Sequence, residues 1–161
     1  MKSSSLVALL GFGACTAAVA AIGSVPTRRA VQSAWYERLR KPRAQPPAAV
    51  FGPVWTTLYA LMSVAAWRTW RAPPSRTRSR ALALWGAQLA LNGAWSPLFF
   101  GARRPAAALG DLALLVPTIA ACTHQMANAD RPAAAMMLPY VGWTLFATGL
   151  NAAIVAKNPS A

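Results

Sequence analysis

The chain has 161 residues, 56% of them apolar and 12% charged, with 16 Lys and Arg against 3 Asp and Glu for a net charge of +13. That length makes one domain, residues 1–161. A disordered basic tail would lack the 7 Trp and 5 Phe, and a soluble nucleic-acid-binding domain would carry its cations along a folded face rather than in clusters between uncharged runs.

Those runs predict the elements. About 20 mostly apolar residues cross a bilayer as a helix. Five stretches qualify, at about 6–25, 47–67, 81–101, 106–126 and 133–156. They are too long for membrane strands and lack period-2 alternation. Because a helix satisfies its backbone internally, the expected fold is all-α: an integral membrane bundle of five transmembrane helices. Lys2, the apolar stretch and Ala18-Val19-Ala20 also fit a cleavable signal peptide; the apolar character running on to Val25 favours a retained helix. The first connection, Pro26 to Pro46, is long and basic. The second, Arg68 to Arg80, is expected to be a mobile Pro/Ser/Arg-rich loop. The third, Ala102–Pro105, is a tight turn, and the fourth is Asn128–Pro132. Such a topology puts Lys2, Arg68, Arg71, Arg76, Arg78, Arg80 and Arg131 on one side. Arg28, Arg29, Arg38, Arg40, Lys41, Arg43, Arg103, Arg104 and Lys157 fall on the other, so the positive-inside rule does not choose an orientation.

Trp67, Trp70 and Trp85 fit an interfacial belt, where an apolar ring with a polar edge belongs. Trp55, Trp95 and Trp143 lie within spans and have companions at helical spacing: Trp55 with Tyr59, Asn92 with Trp95, and Trp143 with Ala147 and Asn151. Asn is costly in hydrocarbon, so Asn92 and Asn151 are expected to face the bundle interior and to bring those rings with them. That pattern suits plain helix packing or an aromatic-walled cavity for an apolar ligand. Asp111 lies near the start of the fourth span, where an acid is either functional or hydrogen-bonded to a neighbour. His124 is a lone imidazole, a polar interface residue more often than a haem ligand. Cys15 and Cys122 sit in apolar runs, and no cluster of metal-ligating residues is present in the sequence. No cofactor is expected to be required.

Four motifs in order resemble the TspO/MBR family of tryptophan-rich sensory and translocator proteins. They are Trp35-Tyr36-x-x-Leu39-x-Lys41-Pro42; Val50-Phe51-x-Pro53-Val54-Trp55-Thr56-x-Leu58-Tyr59; Leu91-Asn92-x-x-Trp95-Ser96-x-x-Phe99-Phe100-Gly101; and Leu138-Pro139-Tyr140-x-x-Trp143-x-x-Phe146-Ala147-Thr148-x-Leu150-Asn151. The resemblance implies five helices, a retained first helix, and a pocket for porphyrins, notably protoporphyrin IX, or similar flat hydrophobic ligands. Its residues would be Tyr36, Trp55, Tyr59, Asn92, Trp95, Trp143 and Ala147. It also implies that light-dependent porphyrin breakdown, if present, would use Trp55 and Trp143. A third reading is a membrane interaction protein with no small ligand. The stretch Leu150–Lys157 lacks the Tyr of the family's sterol-contact motif, and Arg43 adds a cation at the pocket mouth. The expected partners are the small molecule, membrane lipid and a second copy of the chain. Gly86, Ala90 and Ala94 recur every four residues, a small-residue stripe that lets helices approach closely; it points to a homodimer, as the resemblance also does.

Overall fold

The computed structural model describes residues 3–159 and is helical, with no strand among the described residues. Six α-helices run along the described residues: α1 (Ser3–Val31), α2 (Ala34–Arg38), α3 (Ala48–Arg71), α4 (Arg76–Ser96), α5 (Pro105–Ala129) and α6 (Arg131–Lys157). A single π-helical turn, Pro97–Gly101, extends α4. The five long helices close a ring in the order α1, α3, α6, α5, α4.

Four of them, α1, α3, α5 and α6, are long and apolar enough to cross a membrane. The third expected span is where sequence and structure part. Helix α4 begins at Arg76, so its first turn carries Arg76, Arg78 and Arg80, and its body contains Gln88 and Asn92. The aromatic residues that make 81–101 look apolar, Phe99 and Phe100, belong to the π-helical turn instead.

Other expected boundaries also move. The basic stretch 76–80 is the start of α4, leaving Ala72–Ser75 as the whole connection where a mobile loop to Arg80 was expected. Ser75 caps the helix by accepting from the Arg78 amide at 3.1 Å, which satisfies an orphan N–H of the first turn. Arg78 also reaches the Ala72 carbonyl at 3.3 Å. The fourth connection shrinks to Asp130, whose carboxylate accepts from the Ala133 amide at 2.9 Å and pairs with Arg68 at 3.2 Å. Helix α1 continues six residues beyond Val25, through Pro26 and the Arg28-Arg29 pair. Lys2 lies outside the described residues. Helices α1, α3, α5 and α6 run continuously through Pro26, Pro53, Pro117 and Pro139.

Trp85 is a core residue rather than an interfacial one. It is 5% exposed, donates to the Met62 carbonyl at 3.1 Å, and meets Phe12 edge-on at 5.2 Å. Lying beyond Arg80, it faces α1 and α3 rather than headgroups. Trp67 does sit at a bundle end, bonded to Ser5 and covered by Arg71. Its neighbour Trp70 lies beneath Arg78.

The core is built from small and flexible side chains. Met62, Ala65, Ala66, Ala81, Cys122, Met126, Ala133 and Met137 are fully buried. Alanine lets helix backbones approach closely where dispersion supplies the attraction. Side-chain hydrogen bonds then fix the register: Thr16 to Ser63 at 2.8 Å ties α1 to α3. Asn151, 1% exposed, donates to the Pro105 carbonyl at 2.8 Å and accepts from Trp95 at 3.2 Å, joining α6 to α5 and α4. Asn151→Ala leaves both partners unpaired. We expect a loss of about 1–3 kcal/mol, measured by reversible unfolding in mixed micelles, whereas Asn128→Ala at an exposed position costs under about 0.5 kcal/mol.

Candidate functional site

One set of polar groups within the apolar bundle lies between α3, α4 and α6. The Tyr59 hydroxyl donates to Asn92 Oδ1 at 2.8 Å, and Asn92 Nδ2 donates to the Tyr140 hydroxyl at 3.1 Å. One asparagine amide thus links three helices. Trp55 lies one turn before Tyr59 and packs on it with centroids 5.4 Å apart; it meets Tyr140 at 6.3 Å. Asn92 and Tyr140 are buried, while Trp55 and Tyr59 are half-buried.

A second group follows along α4. Trp95 stacks on Phe99 at 5.1 Å and meets Phe100 edge-on at 5.7 Å. The π-helical turn makes this possible. Ala102 N–H bonds back to the Pro97 carbonyl at 2.7 Å, a wider turn that sets Phe99 and Phe100 on adjoining faces; such turns are common at functional sites.

The first connection covers this end of the bundle. Ser33 caps α2. Tyr36 then packs on Phe100 at 5.8 Å, accepts from Gln45 Nε2 at 2.9 Å, and lies under the Lys41 ammonium at 3.9 Å. Trp35 packs beside it, 6.4 Å from Tyr36 and 6.1 Å from Phe99. Arg43 is exposed.

Trp143 sits apart from both groups. It packs between Phe51 at 5.7 Å and Phe146 at 5.6 Å. It lines a groove of about 540 Å³ between α3 and α6, with Pro53, Val54, Thr57, Leu58, Pro139 and Gly142. Ala147, one turn further, is half-buried. Of the seven expected residues, Trp55, Tyr59 and Asn92 are therefore in one packed cluster, Trp95 and Tyr36 are bridged by Phe100, and Trp143 faces a separate groove. Trp55, Tyr59, Trp95 and Trp143 all pack against the same hydrophobic core.

Tyr140 is the residue that periodicity arguments missed. It stands three positions before Trp143, a spacing that shares a helix face, and that signal was available. Phe99 and Phe100 could not be placed, since an α-helical period does not describe a π-helical turn. Asp111 is buried with Oδ2 unpartnered, as are both polar atoms of the fully buried Gln88. His124 is exposed.

These features define a polytopic helical membrane protein with an aromatic–amide cluster between its helices and a folded connection over one end. The chain belongs to the TspO/MBR family, whose family model matches residues 12–156. It is 40% identical to the human translocator protein over 126 residues, 77% of this chain and 75% of that one. It is 42% identical to the tryptophan-rich sensory protein of Cereibacter sphaeroides over 73% of this chain and 72% of that one. With the tryptophan-rich protein TspO of Archaeoglobus fulgidus it shares 39% identity over 88% and 90% of the two chains. It is an integral multi-pass membrane protein.

The packing of Tyr36 makes the first connection a folded cover. Tyr36→Ala removes its contacts with Phe100, Gln45 and Lys41. Amide exchange across residues 39–47 is expected to quicken about tenfold, the effect of losing about 1.4 kcal/mol of local stability, with exchange at residues 72–75 unchanged.

Proposed function

We propose that the protein is a membrane receptor, sensor or carrier that binds porphyrins, protoporphyrin IX among them, or similarly flat hydrophobic ligands between its helices. The observation that carries this reading is the chain from Trp55 through Tyr59 and Asn92 to Tyr140, flanked by Trp95 and by the Trp143 groove. It offers aromatic faces to a flat ring and a few fixed polar groups to orient it, which is how apolar ligand sites are built. The relatives named translocator and sensory proteins fit a role in binding or transfer. Tyr36, Trp55, Tyr59, Asn92, Trp95, Trp143 and Ala147 are the residues we assign to this ligand.

In this reading α4 is the fifth membrane crossing. It lies between α1 and α5 in the ring, and its 21 residues followed by a five-residue π-helical turn span at least about 30 Å at 1.5 Å per residue, a hydrocarbon thickness. Its outer face carries exposed Gly86 and Ala90, with Ala94 half-buried, opposite the buried Asn92. A Cβ added to Gly86 meets nothing within 4 Å, so we assign that face to a homodimer contact.

Protoporphyrin IX titrated into the detergent-purified protein in the dark is expected to quench tryptophan fluorescence saturably. Ala147→Leu should weaken binding about tenfold by crowding the wall, in line with an overpacking cost of about 1–3 kcal/mol. Quenching that never saturates, or that Ala147→Leu leaves unchanged, rejects the assignment. Illumination of the same samples separates the readings: a new absorbance band lost in Trp143→Phe marks light-dependent breakdown, and an unaltered porphyrin spectrum marks binding alone.

The dimer is tested independently by light scattering in mild detergent. Wild type is expected at twice the mass of the Gly86→Leu/Ala90→Leu variant. Equal masses would exclude this face as the contact.

A further inference from the structure

We propose that the end of the bundle under the first connection carries a phosphate-binding groove, formed by Arg38, Arg40, Arg103 and Lys157. A groove of about 690 Å³ opens there, lined by these four cations together with Trp35 and Asn158. They come from three stretches far apart in the chain: the α2 connection, the turn before α5 and the end of α6. No acidic side chain among the described residues lines the groove. Among the described residues the one ion pair joins Arg68 to Asp130 at the other end of the bundle, and Glu37, beside Arg38 on α2, is exposed.

The groove has a fixed frame. Asn158 Oδ1 accepts from the Arg40 amide at 3.0 Å, and its Nδ2 donates to the Arg40 carbonyl at 3.1 Å and to Ile154 at 2.7 Å. The connection is thereby fastened to the end of α6 beside Lys157. Arg103 has φ 55°, the only positive φ outside glycine among the described residues, a region that costs a side-chain-bearing residue energy. Its guanidinium lies 5.9 Å from the Trp35 ring centroid. Four cations lining one groove repel one another, and a multiply charged oxyanion bound among them relieves that repulsion. Guanidinium forks match phosphate oxygens in pairs, and a groove of this size takes more than one carboxylate.

This groove adjoins the aromatic group around Trp95. Trp35 lines it and also packs against Phe99, while Tyr36 packs on Phe100, so α2 contributes to both. A tryptophan among cations at a bundle end marks headgroup depth. The phosphate could therefore belong to an anionic lipid headgroup or to a soluble pyrophosphate-type molecule; the recognising chemistry is the same.

The test uses the full chain in phosphatidylcholine nanodiscs with two probes. Inorganic pyrophosphate is titrated calorimetrically, and phosphatidylglycerol retention is read by native mass spectrometry after incorporation into mixed nanodiscs. The groove variant Arg38→Gln/Arg103→Gln/Lys157→Gln is compared with Arg28→Gln/Arg29→Gln/Arg43→Gln, which removes equal charge from the same end outside the groove. We expect saturable binding of at least one probe, weakened at least about tenfold in the groove variant and less than about twofold in the other. Pyrophosphate binding identifies a soluble phosphate ligand, and phosphatidylglycerol retention alone identifies a headgroup. Equal losses in both variants, or no saturable binding of either probe, overturn the proposal. Arg103→Lys keeps the charge and removes the fork; with unchanged helical circular dichroism, weaker binding is expected, and full retention of binding counts against the site.

Discussion

An asparagine amide inside an apolar helical bundle gains by finding partners, because an unsatisfied polar group there costs several kcal/mol. Asn92 finds two: it accepts from Tyr59 on α3 and donates to Tyr140 on α6. Much of the site's arrangement is set by that amide. It ties α3 and α6 to α4 across one level of the ring, beside Trp55 packed on Tyr59 and Tyr140, with Trp143 one turn further along α6 facing the groove between α6 and α3. Asn151 repeats the device one level along, where it fixes Trp95 and the start of α5.

Both asparagines do two jobs at once. Each pins helices whose packing surface is otherwise alanine and methionine, and each presents an oriented indole or phenol beside the pin. A bundle held mainly by dispersion can slide, since lipid tails are as apolar as the core; the hydrogen bonds choose one register. Rings placed on those bonds inherit their position. The cost of burying amides is therefore tied to the aromatic geometry on which a flat ligand would depend.

The two bundle ends differ in how they handle charge. At the end of Asp130, three cations have partners: Arg68 the carboxylate, Arg78 a carbonyl, and Arg71 the Trp67 ring. At the other end, Lys41 lies on Tyr36, while the four cations of the groove converge without a carboxylate among the groove's lining residues. Among the described residues the one carboxylate–cation pair lies at the Asp130 end, and the groove cations are the ones we assign to an external anion.

The residues alone determined that this is a helical membrane protein, because long uncharged runs leave a backbone no other way to satisfy its hydrogen bonds. They also determined that Asn92 and Asn151 turn inward, because hydrocarbon penalises an amide on any other face, and four ordered motifs pointed to the family. What they could not contain was anything set by contact between distant segments. Trp85 looks interfacial until α1 and α3 close over it. The stretch 76–80 looks like a loop until Ser75 caps it as helix. Phe99 and Phe100 have no predictable facing because Pro97 begins a turn of a different period. Tyr140 was visible as a neighbour of Trp143, but its bond to Asn92 exists only once the closed ring sets α6 across from α4. Arg38, Arg40, Arg103 and Lys157 become one groove only when Asn158 fastens the first connection to the end of α6. Local chemistry fixes a residue's period and its preference for water or lipid; which partner it meets is decided by the closing of the ring.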